Sequence, residues 1–351
     1  MYEKECLAKM INKLQLDIPP ITSYPIIANT MSVLWLHKNK TMPWISDRFV
    51  QLIWRGKTSA MASLRGTFYD NELGYNKPLF LSCPFLYCSR YDRMIFHNQN
   101  YKFSDYVKKS INEGYYLHLC LDQFYMSKTP SYRFKHFIHP TFIYGYSEDQ
   151  NLVYIRDFFQ GKYQDLTASF SEIDESYYNL PYLSTADFEM MVSAMKYRDV
   201  NYQINLNKIK RDYTDYLNAA DSRGVYSEDP VYRELEKDTV YGIRYYEVLN
   251  YMCLIKGIDI RAAHVLVDHK TIQEIRLSYL ADNGYITNQE ELLSLGKSLT
   301  QKATVLRNMS LKIAMHGYAN LEEISRLKDL SMQTKEEDTY FVKSLLDNLK
   351  C

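Results

Sequence analysis

One stretch, residues 136–159 (HFIHPTFIYGYSEDQNLVYIRDFF), constrains the fold more than any other. Residues 141–146 are β-branched and aromatic, 147–151 are turn-forming, and 152–158 are apolar again, which predicts two antiparallel strands joined by a tight polar turn. Pairing Ser147 with Asn151 sets His139 opposite Phe159. Asp157 is then its diagonal neighbour on the same face, roughly 7–8 Å away between Cα atoms. A carboxylate there would hold the imidazole in one tautomer and favour its protonated form, as a catalytic base requires. A slip of one residue would send the two to opposite faces. On this spacing alone, a chance His and Asp at strand ends is the commoner reading.

Around this stretch the order of elements is helices, then a sheet, then helices. Residues 2–14 carry an apolar helical face at Cys6, Leu7, Met10, Ile11 and Leu14. After Pro25, the spacing of Ile27, Met31, Leu34 and Trp35 predicts a helix over 28–38, and Pro43 opens a second, PWISDRFVQLIWRG, closed by Gly56. Residues 103–112 read as a helix capped by Ser104, 115–121 as a strand, and GKYQDLTASFSEIDESYYNL as a strand followed by a short helix. Residues 187–197 fit strand or helix. From Asn205 onward the pattern is helical, including TVYGIRYYEVLNYMCLIKG, with breaks near Asn283-Gly284 and Gly317. This order predicts an α+β fold: a domain over 1–184 with an antiparallel sheet, then a mostly helical domain over 185–351.

Lys+Arg and Asp+Glu both number 42, so no basic excess exists to neutralise phosphates, which argues against nucleic acid as an obligate partner. There is no long apolar run, and the start, MYEKECLAKMINKL, is charged; a soluble cytoplasmic protein with no membrane partner is expected. The 33 tyrosines suit broad half-polar surfaces or a ligand cleft, and the Tyr-rich helical half offers a homodimer face. Six cysteines without CxxC pairs give neither zinc spacing nor a disulfide framework.

A Cys–His–Asp hydrolase or acyltransferase needs a thiolate at a helix N-terminus, where unpaired N–H groups lower the thiol pKa and later hold an oxyanion. The imidazole comes from a later strand and its orienting acid from the next. The helix near Ala28, His139 and Asp157 follow that order, but residues 25–29 contain neither Cys nor Ser. Ala28 is the position assigned to the nucleophile, because Val33 and Leu36 then take core-facing places; Ile27 is the second choice. Cys120 and Cys253 read as core thiols, and Cys83 and Cys88 precede no clear helix. His136 and His139 offer a metal pair with no third ligand fixed by spacing. His264 and His269 read as surface residues, and His316 suits a helix C-terminus.

The run HFIHPTFIYGYSEDQNLVYIRDFFQGKY with SFSEI resembles the butirosin-type acyltransferase family, whose N-terminal domain has a papain-like, C39-peptidase-like cysteine fold. The likeness extends less specifically to PWISDRFVQLIW, FEMMVSAMKYR and VYGIRYYEVL, so it covers most of the chain. It implies an amide-forming acyltransferase of specialised-metabolite biosynthesis. A carrier-protein thioester would acylate an enzyme thiol, and a small amine would take the acyl group. His139 would serve as base and Asp157 would orient it. The resemblance implies no directly bound cofactor, only the phosphopantetheine of an acyl or peptidyl carrier protein. Ala28 departs from the family pattern, which implies either an engineered Cys-to-Ala change or a natural carrier-binding pseudoenzyme. A cysteine peptidase or thioesterase is the alternative activity.

Overall fold

The computed structural model describes residues 11–55, 65–69, 82–97, 101–159, 161–180, 190–221, 239–252, 260–316 and 320–350. In chain order the elements are β1 (Ile11–Lys13), α1 (Pro25–Leu36), α2 (Lys38–Ser46), β2 (Gln51–Arg55), β3 (Arg65–Tyr69), β4 (Leu86–Asp92), α3 (Met94–His97), α4 (Phe103–Asn112), β5 (Tyr116–Asp122), β6 (Ile138–Ser147), β7 (Leu152–Phe159), β8 (Lys162–Ser169), α5 (Phe170–Tyr178) and β9 (Met191–Tyr197). There follow α6 (Leu206–Leu217), β10 (Thr239–Tyr241), α7 (Tyr245–Met252), α8 (Arg261–Asp282), α9 (Gln289–His316) and α10 (Leu321–Asn348). The fold is α+β, with an antiparallel sheet and a C-terminal helical region.

The chain divides into two compact units: residues 1–38 with 76–200, and residues 39–75 with 201–351. The expected single boundary after residue 184 differs from this in two places. Strand β9 pairs with β4 and β5, so it belongs with the sheet. Strand β2 pairs with β10, which draws 39–75 to the helical unit.

In the first unit the sheet runs β4-β9-β5-β6-β7-β8, with β1 added to β6, and every pairing is antiparallel. The hairpin forms as the alternation requires, but its register is not the assumed one. Ser147 pairs with Leu152, and the register shifts by one between Ile143 and Gly145, at a bulge. Below the bulge Phe142 faces Arg156, so continuation sets Thr141 opposite Asp157 and His139 opposite Phe159. The bulge cancels the slip and restores the diagonal. Asn151 closes the turn at φ 52°, a left-handed conformation that Asn tolerates. Gly145 is required for close approach: a Cβ there would lie 2.8 Å from the Asn12 carbonyl oxygen and 2.9 Å from Lys13 Cα on β1.

One face of this sheet packs on α4 and α5. Its core holds Phe103, Val107 and Ile111 from α4, Ile173 and Tyr177 from α5, and Leu117, Leu119, Leu121, Ile143 and Ile155 from the strands. Helix α5 is started by a capping box in which the Ser169 hydroxyl accepts from the Glu172 N–H and the Glu172 carboxylate accepts from the Ser169 N–H. Helix α1 starts with Pro25 in its first turn and is buried at every position from Ile27 to Leu34. Its polar side chains are spent locally or on the sheet: Thr30 donates to the Ile26 carbonyl and Ser32 to the Ala28 carbonyl, each at 2.8 Å.

In the second unit β10, β2 and β3 form a three-stranded antiparallel sheet accompanied by α6 to α10. Its interior includes a sealed polar network. Lys270 Nζ donates to Asp338 Oδ2 at 2.6 Å, Tyr216 and Tyr246 donate to the same oxygen at 2.6 and 3.2 Å, and Lys270 and Asp338 are both fully buried.

Several expectations are corrected. Residues 11–13 form a strand rather than the end of a helix, and residues 2–10 lie outside the described residues. The second early helix keeps Pro43 inside it and ends at Ser46, while Gln51–Arg55 is a strand. Phe49 at φ 58° breaks the chain direction between them. Residues 239–241 form a strand ahead of α7. His269 is fully buried and its Nε2–H donates to the Val50 carbonyl at 2.7 Å, so His269 is no surface residue. No described helix is long and apolar enough to cross a membrane.

Candidate functional site

The sheet brings His139 and Asp157 together. With the carboxylate ionised, His139 Nδ1 donates to Asp157 Oδ2 at 2.8 Å, which leaves Nε2 as the nitrogen with a free lone pair. Asp157 is fully buried, while the His139 side chain keeps 20% of its surface. The second carboxylate oxygen accepts from the Phe158 N–H at 2.6 Å, and the Thr141 hydroxyl lies 3.4 Å from the first. Burial raises the Asp157 pKa above the ordinary carboxyl range, opposed first by its hydrogen bond to His139. The Phe137 ring stacks on the imidazole, with centroids 5.3 Å apart. This is an oriented imidazole with one nitrogen available, the arrangement a general base needs.

Ala28 is placed differently. It is fully buried in α1, its N–H donates to the Tyr24 carbonyl at 2.9 Å, and the Ile27 N–H goes to the same oxygen at 3.1 Å. Pro25 contributes no N–H to this turn. The neighbouring Asn29 ties the turn to the sheet: its Nδ2 donates to His118 Nδ1 at 3.0 Å, and its Oδ1 accepts from the Tyr163 hydroxyl at 2.6 Å. The Tyr163 hydroxyl also lies 3.2 Å from Ser32 Oγ.

The pleat decides how these two groups relate. His118 faces Phe142, and Phe158 faces Tyr163, so these side chains share with Arg156 the sheet face that α1 meets. His139 faces Leu121, and by alternation His139, Thr141 and Asp157 leave the sheet on the side of Leu119 and Leu121. Among the described residues no hydrogen bond of His139 or Asp157 reaches α1. The structure therefore joins two of the three expected residues to each other and ties the third to His118 and Tyr163.

Two further imidazoles complete the region. His118 is held neutral: burial, then the Arg90 charge and His139, bring its pKa down to about 4. His136, the candidate metal partner of His139, instead donates from Nδ1 to Asp122 Oδ2 at 2.6 Å. Asp122 is fully buried, and its other oxygen accepts from the Phe124 and Phe137 N–H groups at 3.0 Å each. Among the described residues no group of three His, Cys, Asp or Glu is placed to hold a metal ion. Sequence reasoning missed His118, Asn29, Asp122 and Tyr163. Asp122 alone carried a local signal, as an acid ending the apolar run YLHLCL just before a turn.

The described thiols do not supply the missing nucleophile. Cys83 and Cys120 are buried, and burial pushes the Cys88 thiol up to about 11. A cavity of about 370 Å³ opens on the α1 face, lined by Lys13, Leu36, Tyr144, Arg156 and Asp165 among others. It adjoins the C-terminal end of α1, about 12 Å along the helix from Ala28. A scan of protein-family models finds no match to the chain, and a search of curated proteins finds no similar sequence.

Proposed function

We propose that the sheet unit is a papain-like, butirosin-type acyl-transfer domain. In this reading it takes an acyl group from a carrier-protein thioester and passes it to a small amine as an amide. The observation that carries the reading is the His139 Nδ1–Asp157 Oδ2 bond of 2.8 Å, with the carboxylate sealed and the imidazole partly open. His139 would take the proton of the attacking group at Nε2, and Asp157 would steady the imidazolium that results. The phosphopantetheine arm belongs to the carrier, and the chain itself needs no bound cofactor. Without a thiol at position 28 the chain as written has no covalent route.

A second reading, a carrier-binding protein with no chemistry, is favoured by Ala28 itself. Its burial, its committed N–H and the Asn29 lock onto His118 all suit a structural turn better than a nucleophile seat. One experiment separates the readings. Ala28→Cys is treated with an acyl N-acetylcysteamine thioester, then with an amine, and followed by intact mass. Although the pleat turns His139 away from the face that α1 meets, the acyl-transfer reading requires position 28 and His139 to act together, and so expects a covalent adduct that amine releases as amide and that His139→Ala abolishes. Release as free acid alone supports a peptidase- or thioesterase-like hydrolase. Absence of any adduct leaves the binding reading standing and defeats transfer from position 28.

A further inference from the structure

Residues 123–137 form a closed loop between β5 and β6. Its ends meet where the Gln123 N–H donates to the Phe137 carbonyl at 2.9 Å. Inside it, the Thr129 hydroxyl donates to the Gln123 and Met126 carbonyls at 2.8 and 2.9 Å, and the Phe134 and Lys135 N–H groups both reach the Ser131 carbonyl at 3.1 Å. Arg133 is held at φ 53°, a left-handed conformation unusual for Arg, by its N–H bond to the Phe124 carbonyl at 2.9 Å. The loop is thus fixed in advance, and what it fixes is an outward display of rings. Phe134 is 84% exposed, Phe137 43% and Tyr132 42%. Scattered exposed apolar side chains are ordinary, but three exposed aromatic rings within six residues of one internally bonded loop are a concentration of apolar surface.

The loop's own formal charges have one sign. No Asp or Glu occurs from Gln123 to Ser147, while Lys128, Arg133 and Lys135 do. From α5, Glu175 pairs with Arg133 at 3.2 Å, and Glu172 accepts from the Ser127 N–H at 2.6 Å. Lys128 bonds to the Thr167 hydroxyl, so Lys128 and Lys135 have no carboxylate partner among the described residues. The same loop carries Phe137, whose ring lies on His139. We infer that the loop is the docking surface for an acidic carrier domain, with Phe134 as its apolar anchor and Lys135 as its charge contact. The inference rests on the acyl-transfer reading and adds to it where the donor arrives: beside the imidazole that would use it. Preformed loops lose little on binding, and a central aromatic commonly carries much of the affinity.

The probe is a stand-alone acidic acyl carrier protein bearing a non-hydrolysable acyl-pantetheine amide, titrated calorimetrically against the full chain at low ionic strength. Phe134→Ala is expected to weaken binding about tenfold or more, with an unchanged far-UV circular dichroism spectrum. Lys135→Glu is expected to weaken it and flatten its salt dependence. Unchanged affinity in both variants overturns the assignment, as does failure of the parent chain to bind. A concentration-dependent dimer that Phe134→Ala dissolves also overturns it, since the patch would then be a contact between copies. If small-thioester labelling of Ala28→Cys succeeds while the carrier does not bind, docking falls and acyl transfer stands. If both fail, both fall.

Discussion

Asp157 in the sheet unit and Asp338 in the helical unit are both fully buried carboxylates bonded to a basic side chain, yet they are built for different ends. Asp338 meets Lys270 inside a closed network in which Tyr216 and Tyr246 fill the remaining space around one oxygen. Burial raises the pKa of both tyrosines and lowers that of Lys270, the Asp338 charge opposing the last shift. Nothing in that network faces water. Asp157 instead holds a ring that keeps 20% of its side-chain surface and whose second nitrogen makes no hydrogen bond among the described residues. A buried ion pair and a strong hydrogen bond therefore do not by themselves mark a functional site; an oriented group that stays partly exposed is the better candidate.

The sharpest test removes each carboxylate. Asp338→Ala strands a buried ammonium and two phenols, and should cost about 3–5 kcal/mol, read from denaturant unfolding. Asp157→Ala leaves the Phe158 N–H unpaired, but water can reach the exposed edge of His139, so a smaller loss of about 1–3 kcal/mol is expected. Equal losses would mean that the sheet pair is as sealed as the helical one, and the distinction would collapse.

The pH dependence sharpens the same contrast within the sheet. The His118 pKa falls from 6.5 to about 4 on folding, chiefly through burial. A lowered folded value means that stability is whole above pH 6.5 and is lost as pH falls towards 4. The full linkage is no more than about 3 kcal/mol, and the part of the ring that stays accessible reduces it. His118→Gln should flatten the stability curve across this window by keeping an acceptor for Asn29 without a titrating group. A variant curve as steep as the parent's would show that another group carries the acid response.

Much of the sheet was legible because its signals are local. The alternation of residues 141–146 and 152–158 identified the hairpin, and the His139–Asp157 diagonal followed from it. The bulge near Tyr144 was not legible, and the diagonal survived only because the bulge cancelled a one-residue error in the assumed turn. In sequence, residues 51–55 continue the helix expected from Pro43, because their apolar spacing fits either period. Their strand state comes from pairing with Arg65–Tyr69 and Thr239–Tyr241, and the second partner lies far along the chain. His118 and Asp122 stayed hidden for the same reason. Each acquires its role from a residue on another element, Asn29 or His136, and no spacing within YLHLCLD announces that.

The smallest effect concerns the titration of Asp157. Its folded pKa is raised, chiefly by burial, so folding favours the protonated form. The sign follows from proton binding: the stability this group contributes is complete below its ordinary value of 3.8 and is lost as pH rises through the raised folded value. Asp157→Asn removes that slope and keeps one oxygen to accept from His139. Its stability should differ from the parent's by about 1 kcal/mol at neutral pH, while the parent alone loses stability as pH rises from 3.8 through the raised value. In Ala28→Cys, the added Asp157→Asn change should also slow adduct formation far more than it lowers stability, because the imidazolium loses its counter-charge. A pair that served only to hold two strands together would show the stability change and leave labelling untouched.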